Sequence, residues 1–342
     1  MHNILYIFLS IPFIFLINNF FKKKSILLND TGDFHQRLTT KSKVPLSGGI
    51  YLIIIYLITF WNQPLIYSFF IFAIFFIGLV SDLIILKSPN LRFVIQTFII
   101  LLFIVFNNIE IHNTRIYSLD FLIDNKIINY FFVTFCILII VNGTNFMDGV
   151  NTLAIGYFSL VGFVIFFLNF DSLIDLNLDA DSLLIWLLFG LIIYLFNFFN
   201  NLYLGDSGSY LLGMIYSSFL INIYFKNQLI SPFFIILLLW YPAFENLFSI
   251  IRKYLLGKNP LKPDKNHLHQ LIYFFLKKKY NFKDKYINTI TGQLINFYNL
   301  VIFVFAMQDI SNTQFQILLL LFSIFVYLLF YLKLFLIKFK SN

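Results

Sequence analysis

Eleven runs dominated by Ile, Leu and Phe succeed one another along this 342-residue chain, near 4–21, 47–62, 65–86, 91–107, 127–142, 153–170, 182–200, 208–225, 229–250, 293–308 and 314–337. About 20 apolar residues take a helix across the hydrocarbon core, and inside that core every backbone N–H and C=O must find its partner within the chain. With 60% hydrophobic and only 12% charged residues, an ordinary soluble domain is excluded. The predicted fold class is all-α, a polytopic membrane helical protein with about 11 transmembrane helices. Pro64 separates the short second run from the third. No internal repeat or low-complexity linker interrupts the pattern, so residues 1–342 read as a single membrane domain. The long polar stretch 251–292 is the exception, and has room for a short amphipathic element.

The first run lacks a basic start and a small-residue cleavage site and is followed by Lys22-Lys-Lys24. It reads as a retained membrane helix and not as a signal peptide. Lys and Arg collect in cytoplasmic loops, and with eleven spans one set of flanks holds 21 of the 24 basic residues, against Arg115, Lys126 and Lys226 on the other side. That asymmetry predicts a cytoplasmic C-terminus, an N-terminus outside, and a cytoplasmic loop at 251–292. It also accounts for most of the net charge of +8 without any nucleic acid as partner. The single cysteine, Cys136, lies in an apolar run and carries no redox reading.

Against this apolar background three aspartates stand at or beside the ends of runs: Asp82, Asp148 and Asp206. Carboxylates at such positions are functional candidates, because a charge within the bilayer is costly. All three, with His267 and His269, fall on the predicted cytoplasmic side, as one active site would require. Asn145 and Asp148, spaced i, i+3 in Asn142-Gly-Thr-Asn-Phe-Met-Asp-Gly-Val-Asn-Thr152, share a helix face. Their hard oxygen donors suit Mg²⁺ that completes its shell with phosphate oxygens, although a capped polar helix end would look similar. In Gly205-Asp-Ser-Gly-Ser209 the serines can cap a following helix, whose free N–H groups favour phosphate. Asp206 then stands where a diphosphate-bound metal would lie. Lys41 and Lys43, just before Pro45-Leu-Ser-Gly-Gly49, read equally as phosphate ligands or as membrane-flank lysines, and the same choice applies to Lys87 and Arg92. Glu245 and Arg252, seven apart in the ninth run, read as an ion pair or a packing device.

In this order, Pro45-Leu-Ser-Gly-Gly49, Gly78-Leu-Val-Ser-Asp82, Asn145-Phe-Met-Asp-Gly-Val-Asn151, Gly205-Asp-Ser-Gly-Ser209, and the stretch from Pro242 through Arg252 to His267-Leu-His269 resemble the polyprenyl-phosphate N-acetylhexosamine-1-phosphate transferase family. The resemblance implies an enzyme of the plasma (inner) membrane, a phosphotransferase. In its reaction a polyprenyl phosphate, usually undecaprenyl phosphate, attacks the β-phosphate of a UDP-amino sugar. UMP leaves, and a lipid diphosphate sugar forms that starts a cell-envelope glycan such as O-antigen lipopolysaccharide or a cell-wall polymer. It implies Mg²⁺, with Mn²⁺ as an alternative, and is compatible with a homodimer. Carried over by position, Asn145 and Asp206 hold the metal with Asp148 beside them, and Asp148 and Asp82 lie at the reacting phosphates. His267 and His269 bind the nucleotide sugar, and Tyr203 lies near the uracil. Three positions depart from the usual pattern: Ser81 replaces the first of two adjacent aspartates, Asn151 replaces an Asp and is grouped with the substrate-binding residues, and Gln270 replaces a frequent His. The readings from other classes are a membrane transporter or lipid flippase, and an inactive scaffold. A transporter is expected to place its polar groups near the midplane, often in repeated halves; here they stand at the ends of runs on one side.

Overall fold

The computed structural model describes residues 2–29, 43–168, 179–257, 266–280 and 282–339. Among these residues the chain is helical throughout, with one isolated β-bridge between Leu28 and Pro45. The helices are α1 (His2–Lys24), α2 (Gly48–Thr59), α3 (Leu65–Asp82), α4 (Pro89–Asn107), α5 (Tyr117–Ile123), α6 (Lys126–Met147) and α7 (Leu153–Leu168). They continue as α8 (Ala180–Phe198), α9 (Gly205–Lys226), α10 (Pro232–Leu238), α11 (Trp240–Leu255), α12 (Leu268–Lys279), α13 (Asp284–Ala306) and α14 (Thr313–Phe339).

Every apolar run is met by helix, and the molecule is a multi-pass membrane protein. Among the described residues seven helices are long and apolar enough to cross a bilayer, eight if α10 and α11 count as one span, and α2 and α7 are shorter apolar helices. The expected single span at 229–250 is broken, with a bend of 75° between α10 and α11. Pro242 explains the position, since it has no N–H to return to the carbonyl of Leu238. That carbonyl instead accepts from the Tyr157 hydroxyl at 3.0 Å, so the broken turn keeps its hydrogen bond inside the apolar core. The amphipathic element in the polar stretch is α12, begun by reciprocal capping between His267 and Gln270 and ended by Lys277, Lys278 and Lys279. The short α5 was not anticipated.

Helix α9 is the axis of the fold and is buried along almost its whole length, packed by α2, α3, α6 and α7. Approach this close needs small residues at the crossings. At Gly78 of α3 a Cβ would lie 2.4 Å from the backbone of Ser207, so α3 and α9 touch there through their main chains. The start of α9 therefore lies against the end of α3. The end of α6 reaches the same place, since Asn145 donates to Asp206.

Candidate active site

The carboxylate of Asp82, the last residue of α3, seats the first turn of α9. Its Oδ1 accepts from the Asp206 backbone N–H at 2.8 Å, and its Oδ2 from the Ser207 N–H at 3.0 Å and hydroxyl at 2.7 Å. These are N–H groups that a helix start leaves without internal partners. Gly205 opens the turn at φ +73°, and a Cβ there would lie 2.6 Å from Asp82 Oδ2, so conformation and space both call for glycine.

Asp206 is thereby held with its carboxylate in a cavity of about 800 Å³. Its Oδ1 accepts from Asn145 Nδ2 at 2.7 Å and its Oδ2 from the Ser81 hydroxyl at 2.6 Å. Arg92 Nη1 donates to the same Oδ2 and to Ser81 Oγ. Asp148 follows the last turn of α6 and receives the Gly205 N–H. Burial, followed by the negative charges of Asp82 and Asp206, pushes its carboxyl well above the usual carboxylate range.

The turn after Asp148 is fixed from behind by amides of α8, α13 and the segment after α8. Asn151 N–H donates to Asn288 at 2.5 Å, Thr152 N–H donates to Asn197, and Asn296 donates to the Thr152 carbonyl at 2.8 Å. The Asn151 side chain gives its Nδ2 to Asn200 at 2.7 Å, and the Tyr203 hydroxyl donates to the same Asn200 oxygen at 3.2 Å. Tyr203 is also tied through its backbone to Pro45 and Gly48, which gives the Pro45-Leu-Ser-Gly-Gly49 string a structural purpose.

Across the cavity, His267 meets Glu245 of α11, Nδ1 to Oε1, at 2.8 Å. Glu245 is fully buried, and its other oxygen accepts from the Tyr327 hydroxyl of α14 at 2.7 Å. His267 and His269 stack with ring centres 5.5 Å apart, and His269 lies against Gly149.

Thus Asp82, Asn145, Asp148, Asn151, Tyr203, Asp206, His267 and His269 all line one cavity, joined by Lys87, Arg92 and Lys253. Lys43 is exposed and is not part of the cavity wall, and Lys41 lies outside the described residues. Glu245, expected with Arg252 as an ion pair or packing device, pairs with His267, while Arg252 donates to Tyr331 at 2.9 Å and to the Asn266 carbonyl.

Comparison with known proteins adds an independent observation: the pattern described as glycosyl transferase family 4 matches residues 64–224, from the start of α3 to near the end of α9. Over that segment, a little under half of its length, the chain is similar to glycosyl transferase family 4. A Thermotoga maritima protein named undecaprenyl-phosphate alpha-N-acetylglucosaminyl 1-phosphate transferase is 29% identical over 233 residues, covering 67% of each chain. A Bacillus subtilis protein named as a probable undecaprenyl-phosphate N-acetylglucosaminyl 1-phosphate transferase is 32% identical over 145 residues, which is 40% of this chain and 38% of the relative. A Mycolicibacterium smegmatis protein named decaprenyl-phosphate N-acetylglucosaminephosphotransferase is 30% identical over 149 residues, 38% of this chain and 37% of the relative. The matches to the Bacillus and Mycolicibacterium proteins thus span less than two fifths of those proteins' own length.

The matched segment, 64–224, contains every aspartate of the site together with Asn145, Asn151 and Tyr203, while the histidines lie beyond it. Four residues of this site were not assigned to it from sequence: Arg92 and Lys87, left between two readings, Ser81, noted only as a departure, and Lys253. A cation near the first turn of a helix opposes the helix dipole, and that mismatch in α4 was the available signal for Arg92.

The donor set of this site fits a divalent cation in part. Among the described residues no three His, Cys, Asp or Glu side chains converge closely enough to hold a metal by themselves. Asp148 and Asp206 supply two carboxylates, the usual protein contribution to an Mg²⁺ that takes its remaining oxygens from phosphate and water. Arg92 on Asp206 Oδ2 shows that this carboxylate accepts a cation within the cavity. Asn145 turns its amide nitrogen, not its oxygen, toward Asp206.

Proposed function

We propose that this protein transfers a sugar 1-phosphate from a UDP-linked N-acetylamino sugar to a polyprenyl phosphate, releasing UMP and forming a lipid diphosphate sugar. The observation that carries the reading is the convergence of three carboxylates, two histidines and three basic side chains on one cavity at the meeting of α3, α6 and α9. Such a mixture suits a reaction between two phosphates, which need cations to approach each other and a carboxylate to take a proton. The names of the relatives point to the same acceptor class and to N-acetylglucosamine.

In this reading Asp148 and Asp206 hold Mg²⁺ or Mn²⁺, with Asn145 as a neighbouring amide, and the ion neutralises the diphosphate. Asp82 works through Asp206 as a positioning residue, because both its oxygens are engaged by the start of α9. Asp148, whose carboxylate has a single described hydrogen bond, would be left ionised by the bound ion and is the one suited to accept the proton of the lipid phosphate. Arg92, Lys87 and Lys253 attract the phosphates. His267 and His269 take the nucleotide sugar, with Tyr203 and Asn151 lining the same cavity. The cavity opens to the cytoplasm in the inner membrane, the orientation the basic residues favour, and the product begins a cell-envelope glycan. The expected homodimer belongs to the same reading and is checked by light scattering of purified protein.

The test is incubation of membranes with Mg²⁺, undecaprenyl phosphate and radiolabelled UDP-N-acetylamino sugars. Labelled lipid and UMP are expected from the native protein and not from Asp206→Asn. No labelled lipid across the panel beside a working control enzyme, or full turnover by Asp206→Asn, would overturn the reading.

A further inference from the structure

Two arginines of this chain are held in contrasting ways. Arg115 uses both terminal nitrogens, donating to the Ser311 carbonyl, the Thr313 hydroxyl and the carbonyls of Gln228, Leu229 and Ile230. It is a fixed clamp between loops. Arg92 is attached through Nη1 alone, to Asp206 Oδ2 and Ser81 Oγ, and its buried Nε has no hydrogen-bond partner. A guanidinium presents five donors in a rigid fork, so one occupied nitrogen makes a partial attachment. The pair it forms is also about one quarter exposed on each side, 22% and 24%, and pairs in contact with solvent are weak.

The partner is the carboxylate the proposed cation needs, and Ser81 completes the arrangement. Its hydroxyl donates to Asp206 Oδ2 and accepts from Arg92, so a neutral side chain bridges the pair where a carboxylate would compete for the guanidinium. We propose that Arg92 is an exchangeable internal counter-ion: it occupies Asp206 until a divalent cation displaces it, and the released guanidinium then serves the incoming phosphate beside Lys87. This inference rests on the cation reading given above. It makes cation and phosphate binding mutually supportive, since whatever draws Arg92 off Asp206 vacates a ligand for the one and supplies a donor to the other.

The experiment is Mn²⁺ titration of the detergent-solubilised full chain without substrate, followed by electron paramagnetic resonance of the free ion. Arg92→Gln is expected to bind Mn²⁺ roughly three- to fivefold more tightly than the native protein, the gain from removing a solvent-touched ion pair. Arg92→Lys keeps the competing charge and should stay within about twofold of native. Ser81→Ala, which removes only the bridge, should shift affinity in the same direction by less, and serves if Arg92→Gln fails to fold. Asp206→Asn should weaken binding. Mn²⁺ bound with native affinity by both Arg92→Gln and Ser81→Ala would overturn the counter-ion proposal and leave the cation reading standing. No Mn²⁺ bound by native protein or Arg92→Gln would overturn the cation reading and the proposal together.

Discussion

Asp82 and Asp206, 124 positions apart, are joined by a 2.8 Å hydrogen bond from the backbone of the second to the side chain of the first. One carboxylate thus sets the direction in which another is presented. Replacing Asp82 by Asn would turn an amide N–H toward a backbone donor or leave an oxygen site empty. We predict that Asp82→Asn lowers transfer at least tenfold and costs about 1–2 kcal/mol of stability, the usual range for loss of a helix cap. Turnover in the radiolabel assay and thermal unfolding in detergent check both parts; native turnover would refute the positioning role.

Gly205→Ala attacks the same joint from the backbone. A Cβ 2.6 Å from the Asp82 carboxylate, at φ +73°, must push one of the two aspartates away. We expect about 1–3 kcal/mol of destabilisation and loss of most activity. Gly257, also at positive φ but with open space around it, is the control: Gly257→Ala should keep native turnover.

Asp148 makes the site pH-dependent. Its folded-state pKa is raised above the unfolded value of about 3.9, so the cation-free folded protein binds more protons than the unfolded chain. Stability therefore falls as pH rises from the unfolded value through the raised one. A divalent cation needs the ionised carboxylate and must expel that proton, so its affinity rises over the same interval. We predict that the melting-temperature gain given by Mg²⁺ grows as pH rises above the unfolded value of about 3.9, and that Asp148→Asn flattens the trend. A gain independent of pH in native protein would contradict it.

How much of this was legible beforehand depends on what kind of signal each residue leaves. The three aspartates and two histidines were found because polarity is conspicuous in an apolar chain and the basic-residue asymmetry assigned them to one side. Their partners left weaker traces. Arg92 looked like any membrane-flank cation, since its meaning comes from α4 lying beside the end of α3. The expected span 229–250 hid a break, because one proline does not announce whether a helix bends or parts; the Tyr157 hydroxyl that makes parting tolerable lies 81 residues away. Asn151 read as a departure, whereas the structure gives its amide N–H a specific acceptor, Asn200, which an aspartate could not supply with a proton.

Glu245 is expected to act through His267. Glu245→Gln keeps the shape and loses the charge that faces the imidazole, while Tyr327→Phe removes only the second hydrogen bond. We predict that Glu245→Gln raises KM for the nucleotide sugar by about tenfold, the scale of one buried charged hydrogen bond, with a smaller change in kcat. Tyr327→Phe should move KM less. Equal falls in kcat at unchanged KM would place Glu245 in the chemical step instead.

The enclosure of α9 by four neighbouring helices has a consequence for how such a site diversifies. The wall bearing Asp206 and Asp82 is the fixed jaw, since shifting it would disturb main-chain contacts as close as that at Gly78. The wall carried by α11 and the start of α12 is pinned as closely where α11 begins, since a Cβ at Gly143 of α6 would lie 2.1 Å from the Pro242 carbonyl, and beyond that point it is held by side-chain contacts such as His267 to Glu245. On the proposed function, a change of sugar would therefore fall first on the start of α12, with its two histidines, while the joint between α3 and α9 stays as it is.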